Sequence, residues 1–332
     1  MAHSPVRVGF LGMGGMGFRH AGNMEKLQGV SIAALCSLPK SDAERFNTQH
    51  QSSYPVYEDF QRMLDEVPMD VLYVCLPPYA HNDQIEAAAK KRIHIFAEKP
   101  LALTVERGRS IAEAVKQSGV YSQMGYHMRF GGAVARFKEL LEAGTAGRPT
   151  LFSASYECNS LHSPWWRVKE QCGGQVFEQV IHLYDMALYC MGEAGSVAGH
   201  AANICHSGVP GYTVEDTSAM TLRFTSGAMG SITGSNCAVP GLWNARFRMV
   251  FEHMVADFTD YNHARFIYTK DGVREETVDS TCDPYLEEDK YFISVIRGER
   301  PEFAPISEGL FGLKLVSAAM ESAQRGGMII TL

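Results

Sequence analysis

The sequence lacks a long hydrophobic run, a surplus of basic residues and any sustained run of charge, and each absence excludes a class of protein. No uninterrupted apolar stretch approaches the ~20 residues that span a bilayer as a helix, so a membrane protein is not expected. The formal net charge of -7 provides no excess positive charge for a phosphate backbone or an anionic lipid surface. We therefore expect neither nucleic acid nor a membrane as a partner.

Paired cysteine motifs are also missing. The eight cysteines follow neither CxxC nor zinc-finger spacing; they are Cys36, Cys75, Cys158, Cys172, Cys190, Cys205, Cys237 and Cys282. We predict reduced thiols, several of them inside apolar strands, rather than a disulfide framework. The chain begins with a short polar lead before residues 6–11, without the basic and hydrophobic segments of a secretory signal, so we expect a cytoplasmic protein.

What is present is a regular alternation of short apolar runs and longer helical patterns across residues 1–125. This rhythm is typical of parallel strands joined by crossover helices, and it predicts a doubly wound sheet. The predicted strands are 6–11, 31–37, 71–76, 94–97 and 120–123, and the predicted helices are 16–26, 41–50, 59–64, 81–91 and 105–117. A chain of 332 residues exceeds one ordinary compact core, so a second domain is expected after residue 125.

Beyond residue 125 the pattern changes to long alternating runs, which are typical of half-buried antiparallel strands. Strands are predicted at 148–158, 198–206, 217–225, 228–235, 247–252, 254–258 and 264–269, and helices at 133–143, 175–191 and 308–324. The predicted fold is therefore α/β, with an N-terminal Rossmann domain at 1–125. A C-terminal α+β domain at 126–332 is predicted to be built on an open, largely antiparallel sheet.

Residues 12–17 read GMGGMG, which fits the G-x-G-x-x-G fingerprint of dinucleotide-binding folds after a first strand. In that fingerprint Gly12 permits the tight turn, Gly14 lets the backbone approach a pyrophosphate, and Gly17 allows close packing of helix on strand. Met16 opens the helix whose N-terminal N–H groups face the phosphates. We predict that these four residues bind NAD(P); a glycine-rich turn with only a structural role is the alternative.

The tip of the second predicted strand, LCSLPK at residues 35–40, bears on the choice of cofactor. An acidic residue at this point usually binds both ribose hydroxyls of NAD and would repel the 2′-phosphate of NADP. No carboxylate is present here, whereas Ser37 offers a hydrogen-bond donor and Lys40 a positive charge. The sequence predicts NAD(P) with a slight preference for NADP, and Lys40 as an ordinary solvated lysine is the alternative.

Two further strands end in proline motifs at the carboxyl edge of the sheet, where cofactors bind in such folds. The third predicted strand ends at a proline pair that begins with Pro77, because proline cannot continue the hydrogen bonding of a sheet. His81 follows this pair. We expect Pro77 and His81 beside the cofactor, with capping of the next helix as the alternative for His81. The fourth strand ends in the EKP motif of Glu98 and Lys99, and we predict that both residues contact the cofactor. A lysine there can also polarise an alcohol or relay its proton beside a nicotinamide.

These motifs together resemble those of the glucose-fructose oxidoreductase and inositol dehydrogenase (Gfo/Idh/MocA) family over nearly the whole chain. The motifs are the fingerprint at 12–17, Pro77-Pro78, Glu98-Lys99-Pro100, and Gly173-Gly174 followed by Glu178, His182 and Asp185. The resemblance implies a Rossmann domain followed by a substrate-binding and oligomerisation domain on an open mixed sheet, NAD(P) as cofactor, and oxidation of a ring hydroxyl or its reversal. It also implies a homodimer or homotetramer, a catalytic Lys99, and His182 as the acid/base group.

Helix spacing gives a second argument for Glu178 and His182, which are four residues apart and would share one helix face. A histidine that titrates near neutral pH can take the alcohol proton, and a neighbouring carboxylate can orient it. We predict His182 as base, Lys99 as relay or polariser and Glu178 as orienting partner; a core histidine is the alternative. The family more often has aspartate at position 178 and glycine at position 180, where this chain has Glu178 and Val180, so the size of the substrate and the ring position stay open.

Aromatic and charged residues near these motifs are predicted to form a wall for a polyhydroxylated ring. The predicted substrate contacts are Tyr126, Arg129, Trp165, Arg167 and Asp185. The alternatives are core packing for Trp165, an interdomain salt bridge for Arg129 and a structural role for Asp185.

The sequence therefore predicts an oxidoreductase that transfers a hydride between NAD(P) and a ring hydroxyl or ketone of a sugar, inositol or related polyol. One alternative is redox-assisted glycoside cleavage, in which oxidation of a ring hydroxyl acidifies a neighbouring C–H before elimination. Another is a dinucleotide-binding regulator without chemistry, against which the presence of both Lys99 and His182 argues. A metal held by Glu178, His182 and Asp185 is a further alternative, although no metal is expected.

Overall fold

The computed structural model describes residues 4–332. The chain divides into two compact units, which we call the Rossmann unit (residues through Tyr126, with Tyr285–Leu310) and the second unit (His127–Pro284, with Phe311–Leu332). Residues 285–310, which the sequence alone places with the C-terminal domain, belong to the Rossmann unit because their helix packs apolar side chains into its core.

Six strands form the sheet of the Rossmann unit: β1 (Val6–Leu11), β2 (Val30–Cys36), β3 (Val56–Tyr57), β4 (Val71–Val74), β5 (His94–Ala97) and β6 (Ser122–Met124). They are ordered β3-β2-β1-β4-β5-β6, and all neighbours are parallel. The helices of this unit include α1 (Gly15–Met24), α2 (Ser41–His50), α3 (Phe60–Glu66), α4 (Gln84–Lys90) and α5 (Val105–Ser118). The order reverses direction between β1 and β4, and cofactors bind at the carboxyl edge of such a switch point.

The core of the Rossmann unit combines aliphatic side chains with several aromatic rings. Strand β1 buries Val8 and Phe10 completely, and it pairs with β4. The ring of Tyr73 on β4 stacks on the ring of Phe96 on β5, with 4.4 Å between the centroids. These strands are almost continuously apolar because both faces of a central parallel sheet are covered. Later in the chain, helix α9 (Pro284–Ile296) adds the fully buried Phe292 to the same cluster.

Nine strands form the sheet of the second unit: β7 (Pro149–Glu157), β8 (Ala194–Ala202), β9 (Thr217–Phe224), β10 (Met229–Ser235), β11 (Asn244–Phe251), β12 (Met254–Phe258), β13 (His263–Tyr268), β14 (Arg274–Asp279) and β15 (Ile330–Thr331). Their order is β14-β13-β12-β11-β7-β10-β9-β8-β15, and only β7 and β10 pair in parallel. The other helices are α6 (Gly132–Glu142), α7 (Lys169–Cys172), α8 (Ile181–Met191) and α10 (Ile306–Gln324). The strict alternation of buried and less buried residues along β9 shows that this sheet covers a core with one face.

The predicted fold class is confirmed, including a second sheet that is antiparallel in all pairs but one. Many predicted elements are shifted by one to three residues at an end, and three further differences change the start, position or type of an element. Helix α4 begins only at Gln84, because Pro78–Ala80 forms a separate 3-10 turn. The strand predicted at 198–206 begins and ends four residues earlier, as β8. The helix predicted at 175–191 starts with a π-helical segment, Val176–Val180, before α8. Within residues 4–332 no helix combines the length and apolar character needed to cross a membrane.

Candidate active site

The glycine fingerprint forms the turn from β1 into α1, and the space around each glycine agrees with the geometry predicted for it. Gly12 has φ +92°, and a Cβ there would lie 2.6 Å from the carbonyl oxygen of Cys75. A Cβ on Gly17 would lie 1.9 Å from the carbonyl oxygen of Gly12, so only glycine permits this contact between helix and strand. Gly14 instead faces open space, with no atom within 4 Å of a Cβ position, and no side chain caps α1 there. The turn therefore fits a pyrophosphate, which needs close approach to backbone N–H groups at a helix N-terminus.

The tip of β2 lies beside this turn. The Ser37 hydroxyl accepts a hydrogen bond from the backbone N–H of Met13 at 3.3 Å, which leaves its own proton available to a ligand. Lys40 lies further along the loop, where its ammonium pairs with Glu44 at 3.3 Å. The backbone N–H of Lys40 also donates to Glu58 at 3.4 Å. The hydroxyl is thus positioned by the glycine turn, whereas the charge of Lys40 is paired with the carboxylate of Glu44.

His81 is buried after the proline turn that follows β4. Its ring nitrogens lie 3.0 Å from the carbonyl oxygen of Leu101 and 3.1 Å from that of Leu76. Burial lowers the pKa of His81, and the contacts with the two carbonyl oxygens oppose this shift. His81 therefore cross-links two loops at the carboxyl edge of the sheet, while α4 starts three residues later without a side-chain cap. Contact of Pro77 and His81 with a cofactor stays a prediction.

Glu98, at the end of β5, takes part in a buried charge network that the sequence does not predict. Its carboxylate lies 3.0 Å from Nε2 of His20, whose Nδ1 lies 2.8 Å from Asp289 on α9. The side chains of His20 and Asp289 are 0% exposed and that of Glu98 is 7% exposed. Burial opposes the charged ring, but the two carboxylates outweigh it and raise the pKa of His20 well above its ordinary value. His20 is therefore an imidazolium held between two carboxylates.

This network fixes the backbone next to Lys99. The second oxygen of Glu98 accepts a hydrogen bond from the backbone N–H of Lys99 at 3.1 Å. Gly125 makes room for the carboxylate, since a Cβ there would lie 2.9 Å from it. On the other side, Asn23 donates to Asp289 at 2.9 Å. Glu98 thus positions the backbone of the predicted catalytic lysine, while the other oxygen of the Glu98 carboxylate contacts His20.

In the second unit, Glu178 and His182 lie on the helical segment that follows the Gly173-Gly174 turn. Both glycines have positive φ, at +84° and +122°. The carboxylate of Glu215 lies against Gly174, where a Cβ would be 2.4 Å away, and accepts a hydrogen bond from the N–H of Val176 at 2.9 Å. Glu178 falls in the π-helical segment and His182 in α8, so their four-residue separation is not the one regular turn that the spacing argument assumed. Both side chains are buried, at 7% and 6% exposed.

Aromatic rings fix the plane of the His182 side chain. The ring of His127 packs edge-on against it, with centroids 4.6 Å apart and an angle of 72° between the planes. His127 in turn contacts the ring of Tyr261 at 5.5 Å and 85°. The predicted base is therefore held by edge-on contacts between rings. Tyr126, the predicted substrate contact that directly precedes His127, is itself only 1% exposed.

Arg129 and Asp185, two predicted substrate contacts, bind each other. The guanidinium donates to the two carboxylate oxygens at 3.0 and 2.6 Å, and both side chains are 3% exposed. The guanidinium also lies over the ring of Tyr189, 4.6 Å from its centroid. The partner of Arg129 is therefore on α8 of the same unit, not across the two domains. A metal bound by Glu178, His182 and Asp185 would compete with Arg129 for the Asp185 oxygens.

The other two predicted substrate contacts lie on the 3-10 turn Pro164–Arg167. Trp165 is half-buried, and the neighbouring Trp166 is the residue of the pair that enters the core, at 4% exposed. The Arg167 guanidinium donates to the carbonyl oxygens of Leu161 at 2.8 Å and His162 at 3.1 Å. Arg167 therefore stabilises the conformation of its own loop, whereas Trp165 is partly exposed to solvent.

An open glycine turn at the switch point of a Rossmann sheet, in one chain with a second, largely antiparallel sheet, is typical of two-domain dinucleotide-binding proteins. The family model described as an oxidoreductase family with an NAD-binding Rossmann fold matches residues 6–126, and that of the GFO/IDH/MocA C-terminal domain matches residues 134–254. The chain belongs to the Gfo/Idh/MocA family of NAD-binding oxidoreductases. The resemblance inferred from the motifs is confirmed, as is the prediction of an oxidoreductase.

Several named proteins are similar to this chain. A myo-inositol 2-dehydrogenase of Thermotoga maritima is 27% identical over 333 residues, with 96% of each chain covered. A scyllo-inositol 2-dehydrogenase (NAD(+)) of Bacillus subtilis is 30% identical over 238 residues, which cover 71% of this chain and 69% of the relative. The structure of a levoglucosan dehydrogenase in complex with NADH and levoglucosan superimposes with a TM-score of 0.88, at 20% identity and 99% coverage of both chains.

The buried network predicts the behaviour of a His20→Ala variant. Removal of the imidazolium leaves two carboxylates facing each other without a cation, and we expect the free energy of unfolding to fall by about 3–5 kcal/mol. Because the folded pKa of His20 is raised, this stabilisation is complete below the ordinary histidine pKa of about 6.5 and is lost as the pH rises through the folded value. Urea denaturation of both proteins across pH measures the difference.

His263→Ala is the matched control, because His263 also lies between two carboxylates, 2.8 Å from Asp260 and 2.9 Å from Asp279, but at the surface. Water screens that arrangement, so the control is expected to lose far less stability. An equal loss in the two variants would contradict the importance of burial at His20.

Proposed function

We propose that this protein is an NAD(P)-dependent dehydrogenase that acts on a ring hydroxyl of a sugar, inositol or related polyol, or on the corresponding ketone. The observation that carries the reaction class is the glycine turn, which leaves open space at Gly14 on the same sheet edge that presents Lys99. Its relatives named as inositol dehydrogenases, one similar over 96% of this chain, support the substrate class.

In the proposed mechanism the alcohol would lose its hydroxyl proton to the protein and a hydride to the cofactor. When bound, the nicotinamide supplies a hydride acceptor for the carbon that carries the hydroxyl. His182 takes the hydroxyl proton as base, and Glu178 orients the ring. Lys99, whose backbone is fixed by Glu98, polarises the oxygen or relays the proton. In the reducing direction His182 returns the proton to the oxygen.

The proposed substrate contacts divide into two kinds. Tyr126, Trp165 and Arg167 are proposed to line the ring, with the half-buried Trp165 offering an aromatic face to C–H groups of a polyol. Arg129 and Asp185 are proposed to contribute as a pair, since a hydroxyl can donate to the carboxylate or accept from the guanidinium without separating the charges. The longer side chain of Glu178 and the volume of Val180 then restrict the size of the ring.

We also propose a slight preference for NADP over NAD. The Ser37 hydroxyl, positioned by Met13, is available to a 2′-phosphate, and no carboxylate follows directly at the tip of β2. The preference is small because Lys40 pairs with Glu44 and because Glu58 lies close to the Lys40 backbone. The proposed setting is the cytoplasm, where thiols stay reduced, and all eight cysteines are free thiols.

The proposed homodimer or homotetramer uses the exposed face of the second sheet. On that face Leu151 and Met229 are register partners and are 41% and 62% exposed, which is unusual for neighbouring apolar side chains. We expect light scattering to give a mass of two or four chains, and Met229→Asp to lower it because a buried charge weakens such an interface. A wild-type mass of a single chain would exclude this assembly.

The proposed roles predict that Lys99→Ala and His182→Ala lower turnover by about 10²–10⁴-fold, since each removes a group that moves or polarises the alcohol proton. Reduced nicotinamide absorbance, measured with a panel of inositols and sugars, reports the rate. Cofactor binding, followed by fluorescence quenching, is expected to change little in either variant. Lys91→Ala is the control, because Lys91 forms a surface ion pair with Asp65. Rates like those of the wild type in both site variants would refute the roles.

The cofactor proposal predicts opposite effects of two substitutions near β2. Ser37→Asp places a carboxylate where a 2′-phosphate would lie, so the ratio of kcat/KM with NADP to that with NAD is expected to fall about tenfold, or about 1.4 kcal/mol. Lys40→Ala is expected to lower the same ratio by less, because its charge is already shared. Lys90→Ala, an exposed lysine on α4, serves as control. An unchanged ratio in Ser37→Asp would show that the 2′-phosphate does not reach this strand tip.

A further inference from the structure

Three side chains with metal-binding atoms come together in the second unit, and none of them is a residue proposed for the candidate active site. The sulfurs of Cys205 and Cys237 and a carboxylate oxygen of Asp216 all lie within 4.8 Å of one another. They come from three separate segments: the loop after β8, the residue before β9 and the loop after β10. Across residues 4–332 this is the only group of three such ligands that meets this closely.

Asp216 is the fixed member of the group. Its side chain is 0% exposed, and its carboxylate accepts hydrogen bonds from the backbone N–H groups of Ile204 at 2.9 Å, Cys205 at 2.7 Å and His206 at 2.8 Å. The same carboxylate that would bind a cation therefore also holds the loop that presents the Cys205 sulfur. Ligating carboxylates are usually hydrogen-bonded in this way, because the bonds orient the oxygen toward the ion.

The side chain of His206 also contacts the Asp216 carboxylate. Its Nδ1 lies 3.1 Å from an oxygen of Asp216, and its ring stacks on Tyr212 with 4.7 Å between the centroids and 22° between the planes. The imidazole is therefore held in place by an aromatic ring while it contacts the carboxylate. Outer partners of this kind commonly change metal affinity by about 10–100-fold when they are removed.

We propose that Cys205, Asp216 and Cys237 bind a thiophilic divalent cation of the Zn²⁺ type, with water in the fourth position. Two sulfurs and one oxygen suit such an ion, which takes ligands at about 2.3 Å from sulfur and about 2.0–2.2 Å from oxygen in a tetrahedron. Ligand atoms around that tetrahedron are roughly 3.5 Å apart, so the cluster needs to contract by at most about 1 Å. Cys205 is exposed and gives the ion access.

Binding exchanges protons for the ion. Each thiol loses its proton as a sulfur–metal bond forms, so two protons are released per cation and no electron is transferred. The bound ion would tie the loop after β8 to the loop after β10. Glu215, next to Asp216, holds the N–H of Val176 at the start of the segment that carries Glu178. Such an ion would therefore have a structural role, linked to that segment through Asp216 and the adjacent Glu215.

Cobalt binding tests this site without any substrate or cofactor. Reduced, metal-free full-length protein is titrated with Co²⁺, and we expect roughly one ion per chain with thiolate-to-cobalt charge-transfer absorption in the near ultraviolet, which Zn²⁺ then abolishes. Cys205→Ser should lose at least half of this absorption, because only the Cys237 thiolate remains, and it should fold because Cys205 is exposed. His206→Ala should keep the absorption but bind about 10–100-fold more weakly.

Cys282→Ser is the matched control, because Cys282 is a partly exposed thiol of the same unit whose sulfur lies 3.0 Å from Asn262 rather than in the cluster. Its cobalt spectrum should equal that of the wild type. Absence of thiolate absorption in the wild type, or an equal spectrum in Cys205→Ser, would overturn the site. Neither result depends on whether the protein oxidises a polyol, so failure here is distinct from failure of the proposed function.

Discussion

A positive charge buried between two negative charges determines how the Rossmann unit is organised. Removing one imidazolium and two carboxylates from water costs several kcal/mol per ion, and only close contact with good hydrogen bonds offsets that cost. His20, Glu98 and Asp289 meet this condition, although His20 is 78 residues from Glu98 and 269 residues from Asp289 along the chain. Helix α9 brings Asp289 to this network and also packs Phe292 into the apolar core, and both contacts accompany the assignment of Tyr285–Leu310 to the first unit. The fingerprint helix and the lysine motif are consequently parts of one electrostatic arrangement.

The sequence predicts those parts of the fold whose residue pattern is decided locally. Strands β1 and β5 and helix α2 have the predicted bounds, because apolar strands bounded by turns and helices with a regular period are visible in a single chain. Strands β3 and β15 have two residues each and present no period. Strand β14 has the polar sequence REETVD, and it is a strand only because β13 offers an edge to pair with. The position of α9 depends on a partner across the chain.

The same distinction applies to the candidate site. The roles of Gly12, Gly14 and Gly17 follow from backbone geometry, which the fingerprint encodes in six consecutive residues, and the structure has that geometry. Partners of charged side chains are not encoded in this way. Nothing near Arg129 in the sequence indicates that it binds Asp185, which is 56 residues away, or that both charges are buried. His20 gives a faint signal, as a histidine on the helix that follows the fingerprint, but Asp289 gives none.

The π-helical segment changes the direction of the side chains before α8 relative to those of any relative whose helix is regular at this point. A π turn holds about one residue more than an α turn, and each residue of an α-helix turns the chain by about 100°. A helical wheel drawn from α8 back through Val176–Val180 is therefore out of phase, and it assigns the side chains before Ile181 to the wrong directions. Loss of a single residue here would restore a regular helix and swing Glu178 to another side while His182 stayed in place. Two chains can thus align perfectly on both flanks and still present different groups to a substrate.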